Sequence, residues 1–325
     1  MIAYIIRRVL YMIPLVLGVC ILTFLLFDVV FSPRERAARE LGRHADEEQI
    51  RELIHSRGWD KGLLYNGTAE GIKRLTDTRF ADHMARLLLF RFGRSEKTHE
   101  DIGKKIRQGM VPSLTLTVPM FVLGLIVGIS LSLGVAYFRA TYLDLGAVVV
   151  CVGFMSISIL VYILVGQFLL AQHMRMFPIY GYAGGFHAMP FLLLPVLIGV
   201  LKGLGGDVRF YRTILLEEVS RDYVRTARAK GLGEVAILFK HVLKNAMIPV
   251  LTRTVLAIPF LFMGSLLLEN FFGIPGLGNM TVEAVANGDT QVMAAMVYLG
   301  ALLFALGNLL TDISYTLVDP RVRLQ

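Results

Sequence analysis

The sequence predicts an all-α integral membrane protein. It has six transmembrane helices, a small helical extracytoplasmic domain between the first two, and a cytoplasmic helix between the fourth and fifth. Three observations carry this. Of 325 residues, 55% are hydrophobic and only 18% are charged, and the mean hydropathy of +0.62 lies on the apolar side of an ordinary soluble domain. The apolar residues form uninterrupted blocks near the ~20 residues that cross a hydrocarbon core. Basic residues gather between particular blocks rather than evenly. The two cysteines, Cys20 and Cys151, both sit in apolar blocks and read as small buried hydrophobes, not as a disulfide or metal pair. The net charge of +8 fits basic residues held at a cytoplasmic face better than a nucleic-acid surface.

The first block runs from Val9 to Phe31 behind Arg7 and Arg8. It is longer than the ~7–15 apolar residues of a signal peptide and ends in Asp28 and bulky residues, so it is read as a retained anchor. Further spans are expected at Pro112–Phe138, Leu145–Ala171, Pro190–Leu204, Val255–Phe272 and Gln291–Leu317. The chain thus divides into an N-terminal transmembrane helix (1–31), an extracytoplasmic helical domain (32–111) and a five-helix core (112–325) with a loop at 205–249. Within 32–111, Ser32-Pro33-Arg34-Glu35 has the pattern of a capping box with proline at the first helical position. A second helix is expected over Asp46–Arg57, with Ile50, Leu53 and Ile54 on one face and Gly58 as its stop.

Orientation follows the basic residues. With Arg7 and Arg8 inside, the segment between spans four and five is also inside, and it carries nine bases from Lys202 to Lys244. The tail adds Arg321 and Arg323. The opposite loops are poor in base: 173–187 holds only Arg175, and 273–290 holds none. The 32–111 segment has 17 Lys/Arg against 13 Asp/Glu, but segments beyond ~60 residues cross largely regardless of charge. Both termini are therefore placed in the cytoplasm.

Several chemistries are absent from the sequence. There is no phosphate-binding G-x-x-x-x-G-K-[ST], no H-E-x-x-H and no G-x-S-x-G, so no catalytic residue and no metal set is assigned. The middle spans carry no ionisable residue short of Lys202, which is counted with the cytoplasmic segment. Ion-coupled carriers place such residues at mid-membrane, so a solute moved by this chain would draw its energy from a partner.

The cytoplasmic segment Asp222–Pro249 is the most specific feature. Its first part, Asp222–Lys230, has helical propensity and stops at Gly231; a second helix, Glu234–Asn245, leads towards span five. Ala227 and Gly231 are four apart, a spacing that lets another helix approach closely, and Arg225, Arg228 and Lys230 surround them with charge. The segment resembles the coupling loop of ABC-transporter permeases. Arg225-Thr226-Ala227-Arg228-Ala229-Lys230-Gly231-Leu232 is similar to the form found in the dipeptide, oligopeptide and nickel uptake permeases. Further similarities run along the chain: Ile6-Arg7-Arg8, Asp46-Glu47-Glu48-Gln49-Ile50, Phe92-Gly93-Arg94-Ser95, Pro112-Ser113-Leu114-Thr115-Leu116, Gly264-Ser265-Leu266 with Glu269 and Phe272, Pro275-Gly276-Leu277-Gly278, Asp312-Ile313-Ser314-Tyr315 and Val318-Asp319-Pro320-Arg321-Val322-Arg323-Leu324. The acidic residue that leads the general coupling motif is replaced by Arg225-Thr226.

The resemblance implies a permease subunit of an importer for peptides or peptide-like solutes in a bacterial cytoplasmic membrane. Residues Tyr223 to Leu232 would dock on a separate ATPase, with Ala227 and Gly231 giving close approach. It implies a second homologous permease, two ATPase subunits that hold ATP and magnesium, and a periplasmic or lipid-anchored binding protein; this chain holds no cofactor. Nickel or another small solute is the alternative cargo, and a carrier or channel independent of ATP is the alternative class. Glu269, Pro275 and Gly276 stand as a pore-mouth or binding-protein contact, or as residues that set the loop's turn. Gly124 and Gly128 form G-x-x-x-G, a helix-packing signal. Arg253, at the inner end of span five, departs from the usual apolar run and is read as snorkelling to the cytoplasmic face. No residue dictates the solute.

Overall fold

The computed structural model describes residues 2–42, 46–67, 71 and 73–318. The C-terminal motif 319–324, with Arg321 and Arg323, lies outside them. The first apolar block forms α1 (Ile2–Phe24), continued by a π-helical turn over Leu25–Val29. Next come α2 (Pro33–Leu41), α3 (Glu47–Ser56) and α4 (Arg79–Leu88). The predicted capping box is present: Glu35 N–H donates to Ser32 Oγ at 3.2 Å and Ser32 N–H to Glu35 Oε2 at 3.0 Å. Asp46 and Gln49 form a second one at the start of α3. Gly58, at φ +67, ends α3 as expected. Trp59 N–H reaches Ile54 O at 2.9 Å and Gly58 N–H reaches His55 O at 3.0 Å, a paired closure available to a left-handed glycine. Ala37, Ile50 and Trp59 make the small core between α2 and α3.

The core contains α5 (Ile102–Tyr137), α6 (Tyr142–Ser156), α7 (Ile159–His173), α8 (Met189–Val219), α9 (Asp222–Ala229), α10 (Glu234–Leu261), α11 (Leu266–Phe272), α12 (Leu277–Asn287) and α13 (Thr290–Val318). Five helices (Ile6–Val29 within the first, α5, α8, α10 and α13) are long and apolar enough to cross a membrane, and α6 with α7, bent by 88°, raises the number to six if the bent pair is one span. Three expected boundaries move. The second span, placed at Pro112–Phe138, begins at Ile102 within the stretch read as the outer domain, because Pro112 is accommodated inside a continuous helix. The fourth span, placed at Pro190–Leu204, continues as α8 to Val219. The fifth, placed at Val255–Phe272, starts at Glu234, ends at Leu261 and is separated from α11 by Phe262–Ser265. The polar residues after Leu204 had marked a loop; in the structure they are the polar face of a 31-residue helix.

Two compact units divide the described residues: those up to Gly109 with Met280–Leu309, and Met110–Asn279 with residues 310–318. In the second unit α8 is the central helix, packed on α6, α7, α10 and α11. Close approach is built from glycine. A Cβ on Gly205 would fall 2.6 Å from Cys151 O, and one on Gly166 would fall 2.8 Å from Ile198 Cδ1. Arg212 adds a bidentate pair with Asp144 at 2.6 and 2.8 Å, joining α8 to α6. In the first unit a buried polar cluster organises the chain around Arg36. It binds Asp28 at 2.6 Å and Glu96 at 3.1 Å, and Glu96 in turn accepts from the Thr290 hydroxyl at 2.7 Å.

Candidate functional site

The short helix α9 is built to be held. Its inner face, Val224 and Ala227, is buried against Leu133 and Ala136 of α5, Leu215 and Val219 of α8, and Ile237, Leu238, Val242 and Ala246 of α10. The Tyr223 hydroxyl donates to Glu218; burial, and then this hydrogen bond, raise the tyrosine's pKa above its ordinary value. At the other end Gly231 lies at φ +80. Leu232 N–H donates to Ala227 O at 3.3 Å and Gly231 N–H to Arg228 O at 2.9 Å, so the helix closes on a left-handed residue. Arg228 then grips Glu234 through Nε at 2.6 Å and Nη2 at 3.1 Å, fixing the end of α9 to the first turn of α10 and raising the Arg228 pKa.

This geometry divides the expected docking residues. Arg225, Thr226, Ala229, Lys230, Gly231 and Leu232 are exposed, Tyr223 and Arg228 are partly buried, and Ala227 is enclosed by its own chain. The expectation that Ala227 gives a partner close approach is therefore corrected: its small size lets α9 press onto α5, α8 and α10. Nor does Gly231 share a contact face with it. No atom lies within 4 Å of a Cβ built there, so its role inside this chain is the positive φ.

Glu269 is likewise enclosed by its own chain. It is fully buried and accepts from Ser113 Oγ at 2.8 Å, Ser265 N–H at 3.1 Å and Asn279 N–H at 3.1 Å. Ser113 Oγ accepts in turn from Leu277 N–H at 2.8 Å. The carboxylate ties α5 to both ends of the segment 265–279, which is the turn-setting alternative for this residue. Gly276 is buried beside it, where a Cβ would fall 2.3 Å from Glu269 Oε2. Pro275 alone of the three is exposed.

A cavity of about 250 Å³ lies between α5, α8 and α10. Gly124, Gly199, Gly203, Asp207, Tyr211 and Arg253 are among its walls. Arg253 Nη2 donates to Asp207 Oδ1 at 2.6 Å, and the guanidinium lies 4.4 Å above the Phe210 ring and 5.7 Å from that of Tyr211. The snorkelling expected of Arg253 is replaced by a partner on the neighbouring helix. Asp207 lies in the stretch after Leu204 whose polar composition resembles a loop, so the sequence alone does not place an ionisable residue in span four, whereas the helix runs on through it to Val219.

One arrangement in the first unit mimics catalytic machinery. Thr23 Oγ1 is 3.1 Å from His83 Nε2, and His83 Nδ1 is 2.9 Å from Asp28 Oδ2. Yet the Thr23 hydroxyl proton is directed to Cys20 O at 2.9 Å rather than to a base, which is not the arrangement of an activated nucleophile. It is also fully buried. The cluster is structural. No metal-competent group of three or more His, Cys, Asp or Glu occurs among the described residues.

A chain whose described residues are mainly helical, with several helices of membrane length and three of them packed on one short helix, is a multi-pass membrane component. Comparison with known proteins identifies which kind. The chain belongs to the family described as the binding-protein-dependent transport system inner membrane component, whose model matches residues 109–324. It is similar to a peptide transport system permease protein of Brucella abortus, 30% identical over 99% of both chains. It is equally similar to a peptide ABC transporter permease protein of Sinorhizobium fredii, 30% identical over 98% of this chain and 99% of that one. The glutathione transport system permease protein of Salmonella typhimurium is 30% identical over 99% of both. The protein is the membrane-spanning permease of an ABC importer.

Proposed function

We propose that this permease moves short peptides or peptide-like solutes across a bacterial cytoplasmic membrane, with α9 as the element on which an ATPase acts. The observation that carries the mechanism is the burial of Val224 and Ala227 among α5, α8 and α10, with Arg225, Thr226, Lys230 and Leu232 left exposed. A force applied to the exposed side of α9 reaches all three helices through packed side chains, which transmit displacement because interiors are close-packed. The cavity between the same helices begins about 10–15 Å along them, as the seven residues from Ala246 to Arg253 measure on α10. Closure of two ATPases around ATP and magnesium would press two such α9 helices together, and the spans would switch between inward-open and outward-open arrangements.

The peptide cargo rests on the names of the similar permeases. A second homologous permease would complete the path, and a periplasmic or lipid-anchored binding protein would deliver the solute, with exposed Pro275 available to it. This orientation places both termini and α9 in the cytoplasm, and the 32–111 domain outside. The test is purification of the chain from its native membrane followed by uptake in proteoliposomes. Copurifying ATPase subunits and uptake that stops when ATP is withdrawn support the proposal; uptake that persists without ATP refutes it.

A further inference from the structure

The ion pair in the cavity does less bonding than its chemistry allows. A guanidinium carries five N–H donors, yet Nη2 to Asp207 Oδ1 is the hydrogen bond that Arg253 makes among the described residues, and Oδ1 is the Asp207 oxygen that accepts it. Both side chains keep access to the cavity, at 41% and 23% exposure. Asp207 Oδ2 lies beside Gly203, 3.5 Å from where a Cβ would stand, and Gly124 has open space where its side chain would be. The Phe210 ring centroid lies 4.4 Å from the guanidinium carbon. Charged groups in helices that cross a membrane are costly and are retained where they meet a partner or a solute.

A pair with no net charge has little attraction for a simple anion or cation. It does match a solute that carries both charges, because such a solute replaces each partner for the other. We propose that Asp207 and Arg253 form a zwitterion-reading site in the translocation cavity: Arg253 takes the carboxylate of the solute and Asp207 its ammonium. The guanidinium's planar fork suits a carboxylate bidentately, and Asp207 offers a free acceptor oxygen to an ammonium. Exchange of one ion pair for two keeps every charge compensated during passage, which limits the desolvation penalty of a buried charge. The cavity is close in size to the smaller ligand pockets of proteins, about 300 Å³. The site deepens the peptide reading and rests on it, since a short peptide is a zwitterion at neutral pH.

The test uses the complete transporter in proteoliposomes, with saturating binding protein and trialanine as probe; uptake is normalised to assembled complex. Arg253→Gln and Asp207→Asn are each expected to lower trialanine uptake at least tenfold. The single variants leave an uncompensated charge, so the decisive variant is the neutral double, Asp207→Asn with Arg253→Gln, which removes both charges at nearly constant shape. A pair that only holds α8 to α10 is relieved in the double variant, and uptake returns. A zwitterion-reading pair is not relieved, and uptake stays at least tenfold down. Double-variant uptake within twofold of wild type overturns the site while leaving the peptide reading intact. A wild-type transporter that moves no trialanine, nor any other short peptide, overturns the peptide reading and the site with it.

Discussion

Leu232 N–H reaches back 3.3 Å to Ala227 O across a left-handed Gly231, so the exposed end of α9 is fixed to its buried face by backbone alone. Asparagine tolerates left-handed φ, whereas a β-branched residue there is strained by roughly 1–2 kcal/mol. Gly231→Asn is therefore expected to keep at least half of the solute-stimulated ATP turnover, and Gly231→Val to lose most of it while remaining inserted. Equal loss in both variants would show that the absence of a side chain, not the backbone angle, is what matters.

Glu269 is a bracket whose removal deletes the acceptor of three hydrogen bonds. Glu269→Ala should cost at least about 3 kcal/mol, given that hydrogen bonds to a charged acceptor contribute about 1.5–3 kcal/mol each. The thermal unfolding midpoint in detergent is the measurement, and a fall on the order of 5 °C or more is expected. Gly276→Ala drives a methyl into the same carboxylate and should lower it as well. An unchanged midpoint in Glu269→Ala would return this residue to the pore mouth.

The buried and exposed ion pairs should differ sharply. Arg36, 4% exposed, is the cation shared by Asp28 and Glu96, so Arg36→Ala leaves Asp28 to His83 and Arg79 and Glu96 to Thr290, and is expected to destabilise the first unit by about 3 kcal/mol, the low end for breaking a buried pair. The Arg34–Glu47 pair, 69% and 57% exposed, contributes under about 1 kcal/mol. Limited proteolysis of residues 32–111 distinguishes them: faster cleavage in Arg36→Ala, and none in Arg34→Ala.

Gly124 keeps the cavity open. Gly124→Leu fills it without meeting any atom at the Cβ position, so assembly is expected to survive and uptake to fall at least tenfold. A variant that transports normally would place the solute path elsewhere.

Much of this was legible in the sequence because local rules suffice where a short motif satisfies its own backbone. The Ser32–Glu35 box, the Gly58 stop and the Gly231 stop all formed where expected. What composition misread was amphipathic length. The polar face of α8 beyond Leu204 looked like loop, which hid Asp207 and with it the partner of Arg253. Spacing also misled at Ala227, where a small residue was assigned to an outside partner; a helix has two faces, and only tertiary packing decides which one is covered. At Glu269 a lone acid beside a Pro-Gly turn gave no sign in sequence that Ser113, 156 residues earlier, would be its partner.

The most direct test concerns the exposed side of α9. Lys230→Cys, at a surface position, carries a short photocrosslinker in membranes that contain the assembled transporter. The account predicts a single major adduct, to a nucleotide-hydrolysing subunit, formed in inside-out vesicles and weakened when ATP is trapped or removed. Labelling of that cysteine from the outer side of intact cells, or adducts to lipid alone, would contradict it.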